Sequence, residues 1–140
     1  MPSEMSVRAV QQQGMHFVAT AGAHSLSLDY PLQPGPGEGA RPLELLLASL
    51  AACAGGTMAL LLKKMQQPVR GMEVLAHAQR RDEHPTVLTE IALEFVLRGT
   101  GIDAVAVGRA LAQAEEKICP VWAMLKGGTK ITAMLRVVPE

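Results

Sequence analysis

The stretch LELLLASLAACAGGTMALLLKKMQQP, Leu43 to Pro68, is the most apolar part of the chain and decides the fold. Its length and composition predict one long helix. Lys63 and Lys64 lie in the last turns, where cations complement the helix dipole, and a proline ends the helix. The helix carries Cys53 at its centre, among alanines and glycines. It is apolar on every side, so it must be covered on every side.

Three kinds of covering are conceivable for this helix. Leu43 to Leu62 is long enough to cross a bilayer. Glu44 near its start, the pair Gly55 and Gly56, and flanking segments that alternate as half-buried strands favour a core helix instead. One small sheet and one amphipathic helix cover only part of it. We therefore expect a second copy of the chain to cover the rest, giving a two-fold homodimer with no membrane span.

The composition limits the class of protein. A chain of 140 residues predicts a single domain over residues 1–140. Net charge +0 and 3% aromatic residues supply neither a basic stripe nor stacking rings, so we expect no nucleic-acid partner. The start MPSEMSVRAV lacks a basic segment followed by an apolar one, which favours a cytoplasmic location. Two cysteines in that compartment do not form a permanent structural disulfide.

The segments on either side of the apolar helix predict strands and one more helix. The evidence is period-two alternation for strands, helical spacing for the second helix, and proline and glycine for loops. The predicted order is three strands before residue 31, a loop over 31–42, the apolar helix, a hairpin of strands over 71–81 and 87–99, a helix from Asp103 to Cys119-Pro120, and a strand over 131–137. This order predicts an α+β fold of antiparallel strands, βββ-α-ββ-α-β.

Two of these elements have a clear buried face in the sequence. The second strand of the hairpin places four large apolar residues on one side: Ile91, Leu93, Phe95 and Leu97. The second helix places its apolar residues at helical spacing: Val107, Ala110, Leu111, Ala114 and Ile118.

The pattern alone leaves two interpretations of Cys53 open. It is an inert thiol in a closely packed core, as free cysteines commonly are, or a reactive thiol that the small neighbouring residues leave accessible and that a nearby cation or donor activates. Cys119 ends the second helix before Pro120, where a side chain is presented to a neighbouring element. The chain has no CxxC pair and no histidine at ligand spacing, so we expect no metal and no cofactor.

Taken together, RPLELLLASLAAC and, further along, AEEKICPVWAML are similar to motifs of the OsmC/Ohr family, the osmotically inducible and organic hydroperoxide resistance proteins. In that family a central helix leads to a first cysteine and a second helix ends in Cys-Pro. The similarity extends over nearly the whole chain and includes PVRGMEV after the helix. The sequence PLELLLASLAAC most resembles the corresponding motif of a less characterised OsmC-like branch.

The resemblance implies an intertwined homodimer and a thiol peroxidase that reduces organic hydroperoxides. It makes Cys53 the peroxidatic residue, whose thiolate attacks the peroxide and becomes a sulfenic acid. It makes Cys119 the resolving residue, which forms a disulfide that an external dithiol reduces. The alternative is a non-catalytic OsmC-like protein, either a binder of an apolar or electrophilic molecule or a thiol redox sensor.

The supporting residues depart from the family pattern. The better characterised peroxidases use an arginine of the N-terminal sheet, held by a glutamate near the start of the central helix. Here Leu43 occupies the glutamate position, Glu44 follows it, and the loop QQQGMH has no arginine. The candidates for these roles are Glu44 with Arg8, Arg80 or Arg81. Trp122, just beyond Cys119, either lines an apolar substrate pocket or only packs in the core.

Overall fold

The computed structural model describes residues 4–140, which form two compact units. The first unit ends at Leu46 and the second runs from Leu47 to Glu140. The central helix begins in the first unit and continues in the second. The single domain over residues 1–140 stays a prediction.

The N-terminal unit is a three-stranded antiparallel meander. It contains β1 (Arg8–Gln13), β2 (His16–Ala21) and β3 (His24–Leu28), in the sheet order β1-β2-β3. The strands are joined by tight turns at Gly14 and Gly22, whose φ angles of 57° and 61° are the left-handed values that glycine adopts without steric cost. The three predicted N-terminal strands are confirmed.

The loop after β3 is tied to that strand by hydrogen bonds. Asp29 is almost fully buried, and its Oδ2 accepts a hydrogen bond of 2.9 Å from the backbone N–H of Glu38. The hydroxyl of Ser27 donates to the carbonyl of Glu38 at 2.7 Å, and Leu28 forms an isolated parallel bridge with Ala40. The predicted loop is therefore an ordered connection that leads directly into the central helix.

The central helix, α1 (Pro42–Lys64), is continuous over 23 residues. The carbonyl of Arg41 accepts the first helical hydrogen bond, so Arg41 is the N-cap and Pro42 occupies the first helical position, where its missing N–H costs nothing. Glu44 Oε1 accepts from the backbone N–H of Arg41 at 2.9 Å, which is the glutamate half of a capping box. The helix passes through Gly55 and Gly56 without interruption.

By length and composition α1 is able to cross a membrane, since the mean hydropathy over an 18-residue window is 2.1. Only 33% of that window is buried within the chain. The absence of a membrane span stays a prediction.

The C-terminal unit contains a second three-stranded sheet. Its strands are β4 (Gly71–Arg80), β5 (Leu88–Arg98) and β6 (Lys130–Val138), in the order β4-β5-β6. The predicted hairpin of β4 and β5 is antiparallel, but β6 lies parallel to β5. The expectation of antiparallel strands throughout is therefore wrong for β6. The chain between β5 and β6 is helical and returns to the starting end of the sheet, and such a crossover makes the next strand parallel.

The connection between β5 and β6 holds two α-helices where the sequence predicted one. These helices are α2 (Ala104–Gln113) and α3 (Pro120–Leu125), with a π-helical turn over Ala114–Ile118 between them. The predicted end of the helix at Cys119-Pro120 is correct, but a new helix starts there. Proline is favoured at the first position of a helix, so Pro120 opens α3 at the same point at which it excludes continuation of the preceding turn.

The π-helical turn changes which residues face the core. Val107, Ala110 and Ala114 are buried as predicted, but Ile118 is 44% exposed. A π turn contains more residues than an α turn, so the positions after Ala114 rotate away from the face that regular helical spacing predicts.

The core of the C-terminal unit lies between the sheet and the helices. The buried face of β5 is confirmed, because its four apolar residues Ile91, Leu93, Phe95 and Leu97 are at most 2% exposed. Helix α1 approaches β4 closely at Gly55, where a β-carbon would lie 2.9 Å from Cγ2 of Val74. At the neighbouring Gly56 a β-carbon would meet no atom within 4 Å.

These two glycines give a matched test of the packing of α1 on β4. Gly55→Ala gains helix propensity but forces the rigid Val74 side chain to move, and we expect a net loss of about 1 kcal/mol in the free energy of unfolding. Gly56→Ala meets no obstacle in the chain and should gain about 0.5–1 kcal/mol. Urea unfolding of both variants measures the difference. Equal effects of the two substitutions would contradict the close contact at Gly55.

Candidate functional site

The structure brings the two predicted cysteines together within the C-terminal unit. Cys53 lies in the middle of α1 and Cys119 lies between the π-helical turn and α3, 66 residues further along the chain. The Cys119 thiol donates a hydrogen bond to the sulfur of Cys53, with 3.0 Å between the two Sγ atoms. Both cysteines are free thiols. A disulfide between them requires only that the sulfurs approach by about 1 Å.

Backbone geometry fixes the position of Cys119. Its N–H donates to the carbonyl of Ala114 at 2.9 Å, the hydrogen bond that closes the π-helical turn. Its carbonyl accepts from the N–H of Ala123 at 3.1 Å, the first hydrogen bond of α3. Cys119 thus belongs to the end of one helical segment and the start of the next. This double restraint holds its sulfur against α1.

Cys53 lies on a part of α1 where the neighbouring residues are small. Ala52, Ala54 and Gly55 leave room around its sulfur, and its side chain is half-buried. The hydroxyl of Thr57 donates to the carbonyl of Cys53 at 2.9 Å. Sequence reasoning missed this contact, although threonine commonly bonds the carbonyl four residues earlier in a helix.

Burial controls the protonation of Cys119. This residue is 1% exposed, and loss of solvent is the main reason that its pKa is raised. The hydrogen bond that it donates to Cys53 raises its pKa further, while the backbone N–H groups of Trp122 and Val121 act in the opposite direction. Cys119 is therefore held as a neutral thiol that donates to Cys53.

Trp122 follows Cys119 by one helical turn and is 1% exposed. Among the residues that the structure describes, its indole Nε1–H has no hydrogen-bond partner. Trp122 therefore belongs to the buried core, three residues after Cys119, and carries an unpaired N–H group there. Its predicted place in a substrate pocket stays a prediction.

The predicted supporting residues belong to several elements of the chain, and their roles stay predictions. Glu44 and Arg8 belong to the N-terminal unit, where Glu44 caps α1 and Arg8 is an exposed first residue of β1. Arg81 is exposed just beyond β4, and its N–H donates to the carbonyl of Val87 at 2.9 Å.

A second contact that the sequence did not reveal lies at the start of α1. The guanidinium of Arg41 lies over the ring of Tyr30, 5.3 Å from its centroid, which is a cation–π geometry. Arg41 also supplies the N-cap backbone for Glu44, so these three residues form one structural cluster of the N-terminal unit.

Within the described part of the chain, no three histidine, cysteine, aspartate or glutamate residues are grouped so that they could hold a metal ion.

A family model described as OsmC-like protein matches residues 35–134, a range that includes both cysteines. The chain belongs to the OsmC-like protein family. It is 31% identical over 136 residues to protein YhfA of Escherichia coli strain K12, which covers 96% of this chain and 98% of YhfA. The resemblance inferred from the two cysteine motifs is confirmed.

Solved structures have the same OsmC-like fold. A hypothetical protein from Aquifex aeolicus VF5 superposes with a TM-score of 0.89 at 26% identity, covering 99% of each chain. An organic hydroperoxide resistance protein OsmC from Legionella pneumophila superposes with a TM-score of 0.73 at 19% identity, covering 96% of this chain and 97% of the other. The predicted α+β fold is therefore confirmed.

The raised pKa of Cys119 predicts the pH dependence of its ionisation. In Cys53→Ser, where Cys119 is the remaining thiol, burial still acts, so the thiolate absorbance should appear above the pH at which free cysteine titrates. The unfolded chain ionises first, so the contribution of this thiol to stability is present below that ordinary pKa and is lost as pH rises through the raised one. The variant that lacks both cysteines should show neither the thiolate absorbance nor this loss of stability. Titration at the pH of free cysteine would contradict the burial effect.

Proposed function

We propose that this OsmC-like protein is a thiol peroxidase that reduces organic hydroperoxides, with Cys53 as the peroxidatic residue and Cys119 as the resolving residue. The observation that carries the proposal is the distance of 3.0 Å between the two sulfurs. The name of the Legionella protein, organic hydroperoxide resistance protein, supports this substrate class for the fold. Two thiols of distant sequence position in direct contact are suited to reversible disulfide chemistry.

The different burial of the two cysteines supports the assignment of their roles. Cys53 is half-buried and is the sulfur that a substrate reaches. Cys119 is buried, and its raised pKa keeps it protonated, which makes it the poorer nucleophile toward an incoming peroxide. An oxidant therefore reacts first with Cys53. Cys119 then reacts with the oxidised Cys53.

The first step transfers one oxygen atom. The Cys53 thiolate attacks the terminal oxygen of the hydroperoxide, and the oxygen–oxygen bond breaks. Cys53 becomes a sulfenic acid, and the leaving alkoxide takes a proton to become the alcohol. The sulfur is oxidised by two electrons and the peroxide is reduced by two.

The second step uses the contact between the sulfurs. The Cys119 sulfur attacks Sγ of Cys53, a sulfur–sulfur bond forms, and the sulfenic oxygen leaves as water with the thiol proton. An external dithiol then reduces the disulfide by thiol–disulfide exchange and returns both cysteines to thiols. No cofactor is required. In a cytoplasmic setting, the systems that keep thiols reduced supply this dithiol.

The surroundings favour an apolar substrate. Leu50, one turn before Cys53 in α1, and Trp122, one turn after Cys119, are both fully buried. We propose that Trp122 forms part of the wall against which the organic group of the peroxide packs. Apolar walls bind a hydrocarbon substituent and offer little to hydrogen peroxide.

We further propose that the protein acts as a homodimer in which a second copy covers α1. Two thirds of the most apolar window of this helix is not buried by its own chain, and Leu60 is 54% exposed. An apolar helix face of this kind is covered in solution by another apolar surface. A copy of the same chain is the partner that a two-fold interface requires.

The peroxidase proposal predicts distinct behaviour of three proteins treated with one equivalent of cumene hydroperoxide. The wild type should lose two thiols and gain one intramolecular disulfide. Cys119→Ser should retain a sulfenic acid that dimedone traps, and Cys53→Ser should react at least a hundredfold more slowly, because the accessible sulfur is gone. Intact mass and free-thiol content measure all three.

Turnover separates the enzyme from the alternative. With excess dithiol the peroxidase consumes many equivalents of hydroperoxide, whereas a binder or thiol sensor stops after one. Slow and similar oxidation of the three proteins would show that Cys53 is an inert core thiol.

The dimer proposal predicts that a charge on α1 disrupts association. Leu60→Glu places a carboxylate on the exposed apolar face and should raise the dimer dissociation constant at least a hundredfold, because an unpaired charge is costly in an apolar interface. Val105→Glu on α2 is the matched control, since Val105 is 69% exposed on another helix. Analytical ultracentrifugation measures both. A monomeric wild type, or equal effects of the two variants, would contradict the assignment of α1 to the interface.

A further inference from the structure

A cavity lies beside the last turns of α1, within the C-terminal unit. It has a volume of about 360 Å³ and is half-open to solvent. Its walls come from the end of α1 and from the segment that enters β4. The volume is within the range of roughly 300–1,000 Å³ that is usual for small-molecule sites.

The floor of this cavity is apolar. It is formed by Leu62, which is 1% exposed, together with Val69 and Met72. Ala59 lines one side of the cavity and contributes only a methyl group. The floor is therefore suited to a hydrocarbon body several carbons long.

The charged groups that line the cavity are all cationic. Lys63 and Arg70 are exposed lining residues, and no acidic side chain lines the cavity with them. Within residues 4–140 neither cation forms an ion pair, in contrast to Lys130 and Arg136, which pair with glutamates on the sheet. Their positive charge is available to a ligand.

A third cation lies at the edge of the cavity. Gly71 is a lining residue, and a β-carbon at this position would overlap the guanidinium of Arg98. Arg98 therefore lies against the backbone of Gly71. Its charge adds to the positive potential around the opening.

The remaining polar side chain of the lining is already engaged. Gln67 donates from Nε2 to the carbonyl of Met65 at 3.3 Å, and its Oε1 accepts from the N–H of Asp103 at 2.8 Å. Its oxygen and one of its two N–H donors are therefore engaged within the fold. The cations are the charged groups of the lining that are left to recognise an anionic head group.

The cavity is separate from the cysteine pair. On a helix with 3.6 residues per turn, Leu62 points away from the side of α1 that carries Cys53 and lies about 13 Å further along the axis. Neither cysteine lines the cavity. A ligand in this cavity therefore contacts neither of the two thiols.

We propose that this cavity binds a small amphipathic carboxylate. The apolar body packs on Leu62, Val69 and Met72, and the carboxylate lies between Lys63 and Arg70. A guanidinium donates two parallel hydrogen bonds to a carboxylate, and an ammonium adds a mobile point charge. The apolar floor and the unpaired cations together select for a molecule that carries both a hydrocarbon and an anion.

The test measures octanoate binding by calorimetry on the full chain, with octanol and inorganic phosphate as partial ligands. Octanoate should bind saturably, and each partial ligand should bind at least tenfold more weakly. Lys63→Gln/Arg70→Gln should weaken octanoate binding at least tenfold, since two charge-assisted contacts are lost. Lys64→Gln is the matched control, because Lys64 is exposed on the same turn but does not line the cavity, and it should change the affinity less than twofold.

Several results would overturn the proposal. They are absence of saturable binding, equal binding of octanol, and equal losses in the Lys64 control and the double variant. If the double substitution weakens dimer association and octanoate does not bind to the wild type, the cavity is part of the dimer interface instead. Should the double variant fail to fold, amide shifts in the wild type decide the matter. Octanoate must then perturb Lys63, Arg70 and Gly71, and a lack of such shifts rejects the site.

Discussion

The contact between the sulfurs of Cys53 and Cys119 is the interaction on which the candidate functional site depends, and it requires one irregular turn of backbone. A regular helix through residues 104–118 would present its last residues at different angles. The π-helical turn, closed by the hydrogen bond from Cys119 N–H to Ala114, inserts an extra residue and directs the chain toward α1. Such turns are rare in proteins as a whole, but a large share of those that occur lie at functional sites. Because of this irregular turn, Ile118 is exposed to solvent and the two thiols are in contact.

The opposite side of the contact depends on how closely α1 packs on the sheet. Gly55 removes the side chain that would meet Val74, so the axis of α1 lies nearer to β4 than an alanine would allow. The same lack of bulk surrounds Cys53 two residues earlier. Small residues therefore serve two purposes in one turn of helix, because they permit close packing on one face and leave the sulfur accessible on another.

Much of this architecture follows from local pattern. Alternation in β5 correctly identified Ile91, Leu93 and Phe95 as core, and the apolar stretch from Leu43 correctly identified α1. The features that escaped prediction are those that depend on neighbours distant in sequence or on backbone irregularity. The parallel direction of β6 is set by the helical crossover, and the π turn has no composition that distinguishes AEEKI from ordinary helix. Pro120 was correctly seen as an end, but a proline that ends one helix also begins the next.

The sequence singled out the two cysteines that lie in contact, but it gave no account of their electrostatics. The family motifs implied that the two cysteines act as a pair. The raised pKa of Cys119, however, comes from burial that is seen only in the folded structure. Glu44, a candidate partner for an arginine in the sequence, accepts a hydrogen bond at Oε1 from the backbone N–H of Arg41, a contact that the sequence analysis did not include. At the start of α1 the carboxylate of Glu44 thus caps the helix, whereas Lys63 at its end lines a cavity together with Arg70, and neither cation forms an ion pair within residues 4–140. Successive parts of one helix therefore differ in chemistry, with a capping carboxylate at the start, two thiols in contact in the middle and cationic lining residues of a cavity at the end.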